Sequence, residues 1–137
     1  MTLTDAGPLV ALVDDRQAQN QRCVAALAQI RLPMSTTWPA FAEAMYLLGR
    51  IGGWPMQDNL WNLVLDGSLM FHVSSPGEHT RMQALMERYR DRPMDLADAS
   101  LVAAAETRSV NTIFTIDSDF YIYQLRNGQP FDVRPGP

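Results

Sequence analysis

Two pairs of aspartates stand close together in the C-terminal half of the chain, Asp95/Asp98 and Asp117/Asp119. The first pair opens an alanine-rich stretch, and the second follows a β-branched run, Thr112-Ile113-Phe114-Thr115-Ile116. A strand ending in carboxylates beside a helix beginning with them makes an anionic pocket. Such a pocket is costly unless a cation fills it. Two further acids are candidates to join. Asp5 lies between the short β-run Thr2-Leu3-Thr4 and a Gly7-Pro8 break. Glu43 is the one charge in the stretch from Trp38 to Leu48. A helix apolar all round is expected to be buried, and a lone glutamate on it is expensive unless paired or protonated.

Each acid also has a purely structural role available. Asp5 can cap the short helix that follows it. Glu43 can sit at an exposed edge or pair with Arg50. Asp95 and Asp98 suit the first turn of a helix, where the dipole favours negative charge. Their spacing puts Asp95 at the N-cap and Asp98 inside the first turn, so the cap role fits Asp95 and a ligand role fits Asp98. Alternation along an extended chain would place Asp117 and Asp119 on one side. Asp117 then reads as a ligand, and Asp119 as the cap of a last turn over Phe120 or a supporting group.

Other chemistry is thinly represented. His72 and His79 fall on different elements and read as structural. Cys23 is the single cysteine, which excludes an intramolecular disulfide and a cysteine-based zinc site. Trp54 and Trp61 read as a packing pair. No phosphate-binding glycine loop and no nucleophile elbow occur. A phosphatase aspartate nucleophile would need a second acid at position 7, which is glycine.

Composition narrows the class. With 137 residues, 47% hydrophobic and 19% charged, the chain is expected to form one globular domain spanning 1–137. No apolar run is long enough to span a bilayer, and the N-terminus has no basic segment of the signal-peptide kind. A cytoplasmic protein with no membrane partner is the expectation. The net charge of −4 argues against a broad basic face for nucleic acid, although metal-holding acids contribute to that sum. All eleven basic residues are arginine, a bias that a GC-rich gene would also produce.

The elements that must position the acids follow from periodicity and breakers. Strands are expected at 2–5, 32–35, 68–73, 112–116 and weakly at 131–133. Helices are expected at 9–13, 17–29, from Thr36 or Thr37 to Gly49, 54–65, from the Ser75-Pro76-Gly77-Glu78 capping box to Arg90, and 95–108. Alternating strands and helices give an α/β domain with a mostly parallel sheet. Ligands in such sheets sit beyond the carboxyl ends of the strands. Asp5 and Asp117 share that edge if the first and fourth strands are neighbours.

Four segments, taken in order, resemble PIN domains: D-A-G-P-L-V-A-L-V-D-D, P-A-F-A-E-A-M-Y-L-L, M-D-L-A-D-A-S-L-V-A-A-A-E and T-I-D-S-D-F. The nearest likeness is to the VapC-like toxin ribonucleases of bacterial type II toxin–antitoxin pairs, and it covers nearly the whole chain. The resemblance implies a three-layer α/β/α, flavodoxin-like sandwich with about five strands. It implies a Mg²⁺- or Mn²⁺-dependent endoribonuclease acting on RNA, usually homodimeric, with a small antitoxin as partner. Carried onto this sequence, the catalytic acids are Asp5, Glu43, Asp98 and Asp117. Asp5, Asp98 and Asp117 would ligate the metal. Glu43 would be a further ligand or orient the attacking water, and Asp95 and Asp119 match positions that are frequently acidic. Thr115 matches a hydroxyl found near the site, and Ala6 stands where a threonine or serine is usual. The alternative is a catalytically weak module of the same fold that holds RNA or a protein. For the rim, Arg16 is the candidate to steer an RNA backbone.

Overall fold

The computed structural model describes residues 1–137. Five short strands, β1 (Thr2–Thr4), β2 (Met34–Thr37), β3 (Leu69–His72), β4 (Thr112–Phe114) and β5 (Asp132–Arg134), form one sheet in the order β3-β2-β1-β4-β5. Every pairing is parallel. The helices are α1 (Ala6–Val13), α2 (Asn20–Ala26), α3 (Trp38–Gly52), α4 (Trp54–Leu65), α5 (Pro76–Arg88) and α6 (Leu96–Arg108). The result is the three-layer α/β/α sandwich of PIN-like type that the sequence led us to expect.

Period-two alternation explains the two cores. Leu3, Ile113 and Val133 point to one face, where they meet α5 and α6. Met34, Leu69 and Phe114 point to the other, against α1 to α4. Helix α6 is buried on all sides from Ala97 to Ala105. Its alanines have no bulk beyond Cβ, which allows close approach to α5 and α3. This helix, rather than α3, has the all-round burial expected of a central helix.

Several boundaries differ from the sequence expectation. Gly7-Pro8 does not break the chain. Pro8 sits in the first turn of α1, where a missing N–H costs nothing. The long second helix shrinks to α2 plus one 3-10 turn, Leu27–Gln29. Strand β2 lies two residues later than expected. Thr37 does sit at the N-cap of α3, but its hydroxyl does not cap it; it bonds the Ser100 hydroxyl at 2.6 Å, tying β2 to α6. The Ser75–Glu78 capping box forms as expected.

Strand order reverses at β1. The chain steps outward through β2 and β3, then returns to place β4 on the other side of β1. Such a switch point opens a crevice at the carboxyl ends of the two central strands. The Asp5 N–H donates to the Phe114 carbonyl at 2.9 Å, which holds those two ends together. The condition that brings Asp5 and Asp117 to one edge is therefore met.

Candidate metal centre

Four elements deliver acids to that crevice. Asp5 follows β1 as the N-cap of α1, and Asp98 lies in the first turn of α6. Asp117 follows β4 as the N-cap of a 3-10 turn, Ser118–Tyr121. Carboxylate oxygens of Asp5, Asp98 and Asp117 lie within 4.8 Å of one another. Glu43 on α3 and Asp95 line the same recess, about 210 Å³ in volume, without joining that cluster. Asp119 faces away. It pairs with Arg92 at 3.0 Å. Asp117 is still extended, but the 3-10 turn begins at Ser118, so Asp117 and Asp119 do not share a side, and Asp117 itself takes the capping role expected of Asp119.

Uncharged donors hold each of the clustered acids. Asp5 Oδ1 accepts from the Ala6 N–H at 2.7 Å, and Asp5 Oδ2 accepts from the Thr115 hydroxyl at 2.9 Å. The Thr115 oxygen in turn accepts from the Asp117 N–H at 3.0 Å, and Asp117 Oδ1 accepts from the Asp119 N–H at 2.9 Å. Asp98 Oδ2 accepts from the Tyr123 hydroxyl at 2.8 Å. Asp95 is the N-cap of α6, accepting from the Asp98 N–H at 2.8 Å, as its spacing implied. Gly7 packs closely in the recess wall: a Cβ there would lie 2.8 Å from Ile116 Cγ1, and the Ile116 side chain would have to shift.

Electrostatics follow from this arrangement. Burial pushes Asp5 up to about 6, partly opposed by its bonds to Ala6 and Thr115. Burial also pushes Asp98 up to about 8; the Tyr123 bond opposes the rise, and Asp95, Asp5 and Asp117 reinforce it. Glu43 is raised by desolvation first and then by Asp95, Asp5 and Asp117. Tyr123 is raised, chiefly by burial and next by its bond to Asp98, so it stays a donor.

Glu43 reaches the recess for a different reason than the sequence suggested. Helix α3 is not buried all round. It packs through Ala40, Phe41, Ala44 and Leu48, and leaves Tyr46, Leu47 and Ile51 exposed together with Glu43. Apolar composition does not by itself bury a face. Arg50 bonds the Tyr46 hydroxyl and leaves Glu43 alone.

The donor set suits a hard divalent cation. Three carboxylates converge, and the arginine ion pairs of the molecule go to Asp14, Glu106, Asp119 and Asp132 instead. Carboxylate oxygens without a cationic partner are the donor type that Mg²⁺ or Mn²⁺ takes. Arg16 pairs with Asp14 at 2.9 Å and does not line the acid recess. Arg22 instead lines a recess of about 160 Å³ that shares Ile116 and Asp117 with the acid recess. A larger groove, about 780 Å³, opens where the chain enters β2 and β3, but its walls are mostly apolar and it holds none of the clustered acids. His72 is structural: it bonds Glu78 at 2.8 Å and accepts from Arg108 at 3.0 Å. Sequence reasoning missed Tyr123, whose hydroxyl lies 25 positions from Asp98 with no periodic signal linking them.

No family model matches the sequence, and no curated protein matches it. Solved structures do. The chain is similar to the Mycobacterium tuberculosis toxin VapC20, described as cleaving the sarcin–ricin loop, with a TM-score of 0.82 at 16% identity, over 95% of this chain and 100% of that one. A toxin–antitoxin complex from Klebsiella pneumoniae is similar at a TM-score of 0.66 and 19% identity, over 88% of this chain and 90% of its own. VapBC2 from Rickettsia felis, bound to a promoter DNA fragment, is similar at a TM-score of 0.66 and 12% identity, over 96% and 97%. Likeness at these identities shows the fold, which is that of VapC toxins.

Proposed function

We propose that the chain is a metal-dependent endoribonuclease, the toxin of a toxin–antitoxin pair. The observation that carries this reading is the convergence of Asp5, Asp98 and Asp117 within 4.8 Å at the switch point of a sheet shared with VapC toxins. Those three carboxylates would hold Mg²⁺ or Mn²⁺. When bound, such an ion polarises a scissile phosphate and lowers the pKa of an attacking water.

The chain's own residues supply the rest. Ala6 N–H and Thr115 fix both oxygens of Asp5, and Thr115 couples that carboxylate to the Asp117 backbone. Glu43, which lines the recess at its exposed mouth and is raised in pKa, would orient the water and accept its proton. Arg22, which lines the adjoining recess with Asp117 and donates to the Gly136 carbonyl, would offer a cation for the RNA backbone. Asp95 caps α6 and adds negative charge near the cluster without joining it.

The partners proposed are an RNA substrate, a small antitoxin and a second copy of the chain. The toxin–antitoxin complexes among the structural neighbours support an antitoxin partner. No helix is long and apolar enough to cross a membrane. The test is cleavage of a structured RNA in Mn²⁺ by the wild type and Asp5→Asn. Cleavage by the wild type that is reduced at least 100-fold in the variant is expected. Equal cleavage by both would overturn the site, and RNA binding without cleavage by either would favour a non-catalytic binding module.

A further inference from the structure

We propose that Tyr123 is a positioning residue for the metal centre, setting the orientation of Asp98 from behind the site. This rests on the reading of the acidic cluster as a metal site. The geometry is specific. The Tyr123 side chain is fully buried, and its hydroxyl donates to Asp98 Oδ2 at 2.8 Å. It is the one side-chain donor that Asp98 has. Asp98 Oδ1 accepts no hydrogen bond and is the oxygen left unengaged.

The ring is itself locked. Tyr89 packs edge-on against it with centroids 5.0 Å apart, and Phe120 does so at 5.2 Å. Phe120 is braced in turn by Phe131. The hydroxyl therefore has little freedom to follow a carboxylate that rotates. Asp98 has two χ angles, and without the bond its carboxylate would be free to swing away from Asp5 and Asp117, whose negative charge repels it. Groups of this kind, one bond behind a ligand, typically alter metal affinity by about 10–100-fold when removed. The network is wholly side-chain on this one acid. Asp5 takes a backbone N–H as well as the Thr115 hydroxyl, and Asp117 takes a backbone N–H alone, so neither rests wholly on one side chain.

The test compares Mn²⁺ binding by calorimetry in the wild type, Tyr123→Phe and Tyr89→Phe. Tyr89→Phe keeps the ring against Tyr123 and removes a hydroxyl that accepts from the Gln124 N–H and touches none of the acids, so it reports on losing a tyrosine hydroxyl from the same cluster. About a 10-fold loss of Mn²⁺ affinity in Tyr123→Phe, with Tyr89→Phe close to wild type, is expected. Equal affinity in the wild type and Tyr123→Phe overturns the inference while leaving the metal site standing. An equal loss in both variants also overturns it, because loss of any hydroxyl from the cluster, and not the bond to Asp98, would then be the cause. A wild type that binds no Mn²⁺ removes the functional reading and this inference together. A second readout does not depend on the fold of the variant. In the wild type, the ¹³Cζ resonance of Tyr123 should shift on adding Mg²⁺ while that of the exposed Tyr46 does not, and an unmoved Tyr123 signal counts against the role.

Discussion

Replacing Asp98 by asparagine should make the metal-free protein more stable and abolish its metal response. Asp98 is pushed up to about 8 from an ordinary 3.8, first by burial. Its carboxyl thus holds a proton more tightly folded than unfolded. Between those two pH values the folded state binds the extra proton, so stability falls as pH rises through the window and the full penalty is present above pH 8. At about 1.4 kcal/mol per pH unit the ceiling is about 6 kcal/mol. Solvent at the open mouth of the recess screens part of this, leaving about 2–3 kcal/mol. Asparagine has nearly the same shape, carries no charge, and can still accept the Tyr123 hydroxyl through its carbonyl. At pH 8.5 in chelator, Asp98→Asn should therefore melt about 6–15 °C above wild type, at roughly 3–5 °C per kcal/mol for a chain of this length. At pH 5 most of that advantage should vanish. In millimolar Mn²⁺ the order should narrow or reverse, because only the wild type gains binding energy. Thermal melts at the two pH values, with and without Mn²⁺, read all of this. A variant less stable than wild type at both pH values, or an equal Mn²⁺ gain in the two proteins, would refute the reasoning.

Thr115→Val keeps the shape but removes the hydroxyl that donates to Asp5 and accepts from the Asp117 N–H. Urea melts should show a loss of about 1–3 kcal/mol from the two orphaned partners, and Mn²⁺ titration about a 10-fold weaker site. Mn²⁺ affinity of the wild type should rise steeply between pH 6 and 8, because protons on Asp5, at about 6, and Asp98, at about 8, compete for the same oxygens. A flat profile measured by calorimetry across that range would mean that neither acid is a ligand.

The sequence made some of this visible and hid the rest for identifiable reasons. Asp95 and Asp98 were legible because capping is local: three residues of spacing at a helix start decide which acid caps and which turns inward. The adjacency of β1 and β4 was legible only as a condition, since strand order depends on how the crossovers run. Alternation failed at Asp117 and Asp119 because a 3-10 turn begins between them, at Ser118. Pairing with Arg92, 27 positions away, could not be read from local spacing. Glu43 was singled out by an argument about a buried helix, yet α3 presents it to solvent at the mouth of the recess. Its raised pKa comes from desolvation there and from the three aspartates it faces. Tyr123 had no local signature at all. Long-range hydrogen bonds from a buried aromatic are set by tertiary packing, which a pattern of periods does not encode.

The way the acids are held bears on why they remain useful. Each clustered carboxylate is oriented by neutral donors: backbone N–H groups, a threonine and a tyrosine. None is paired with arginine, although the chain carries eleven and uses four of them in ion pairs elsewhere. An arginine in the recess would lower the pKa values and relieve the repulsion, but it would also occupy the oxygens and cancel the field a cation needs. Neutral donors fix geometry without neutralising charge. The consequence is a site that is electrostatically strained when empty of cations, with Asp5 and Asp98 both pushed up by burial. A divalent ion at the same place would relieve that strain, but it would have to displace the protons that these raised acids hold, so the feature that destabilises the bare fold also ties cation affinity to pH.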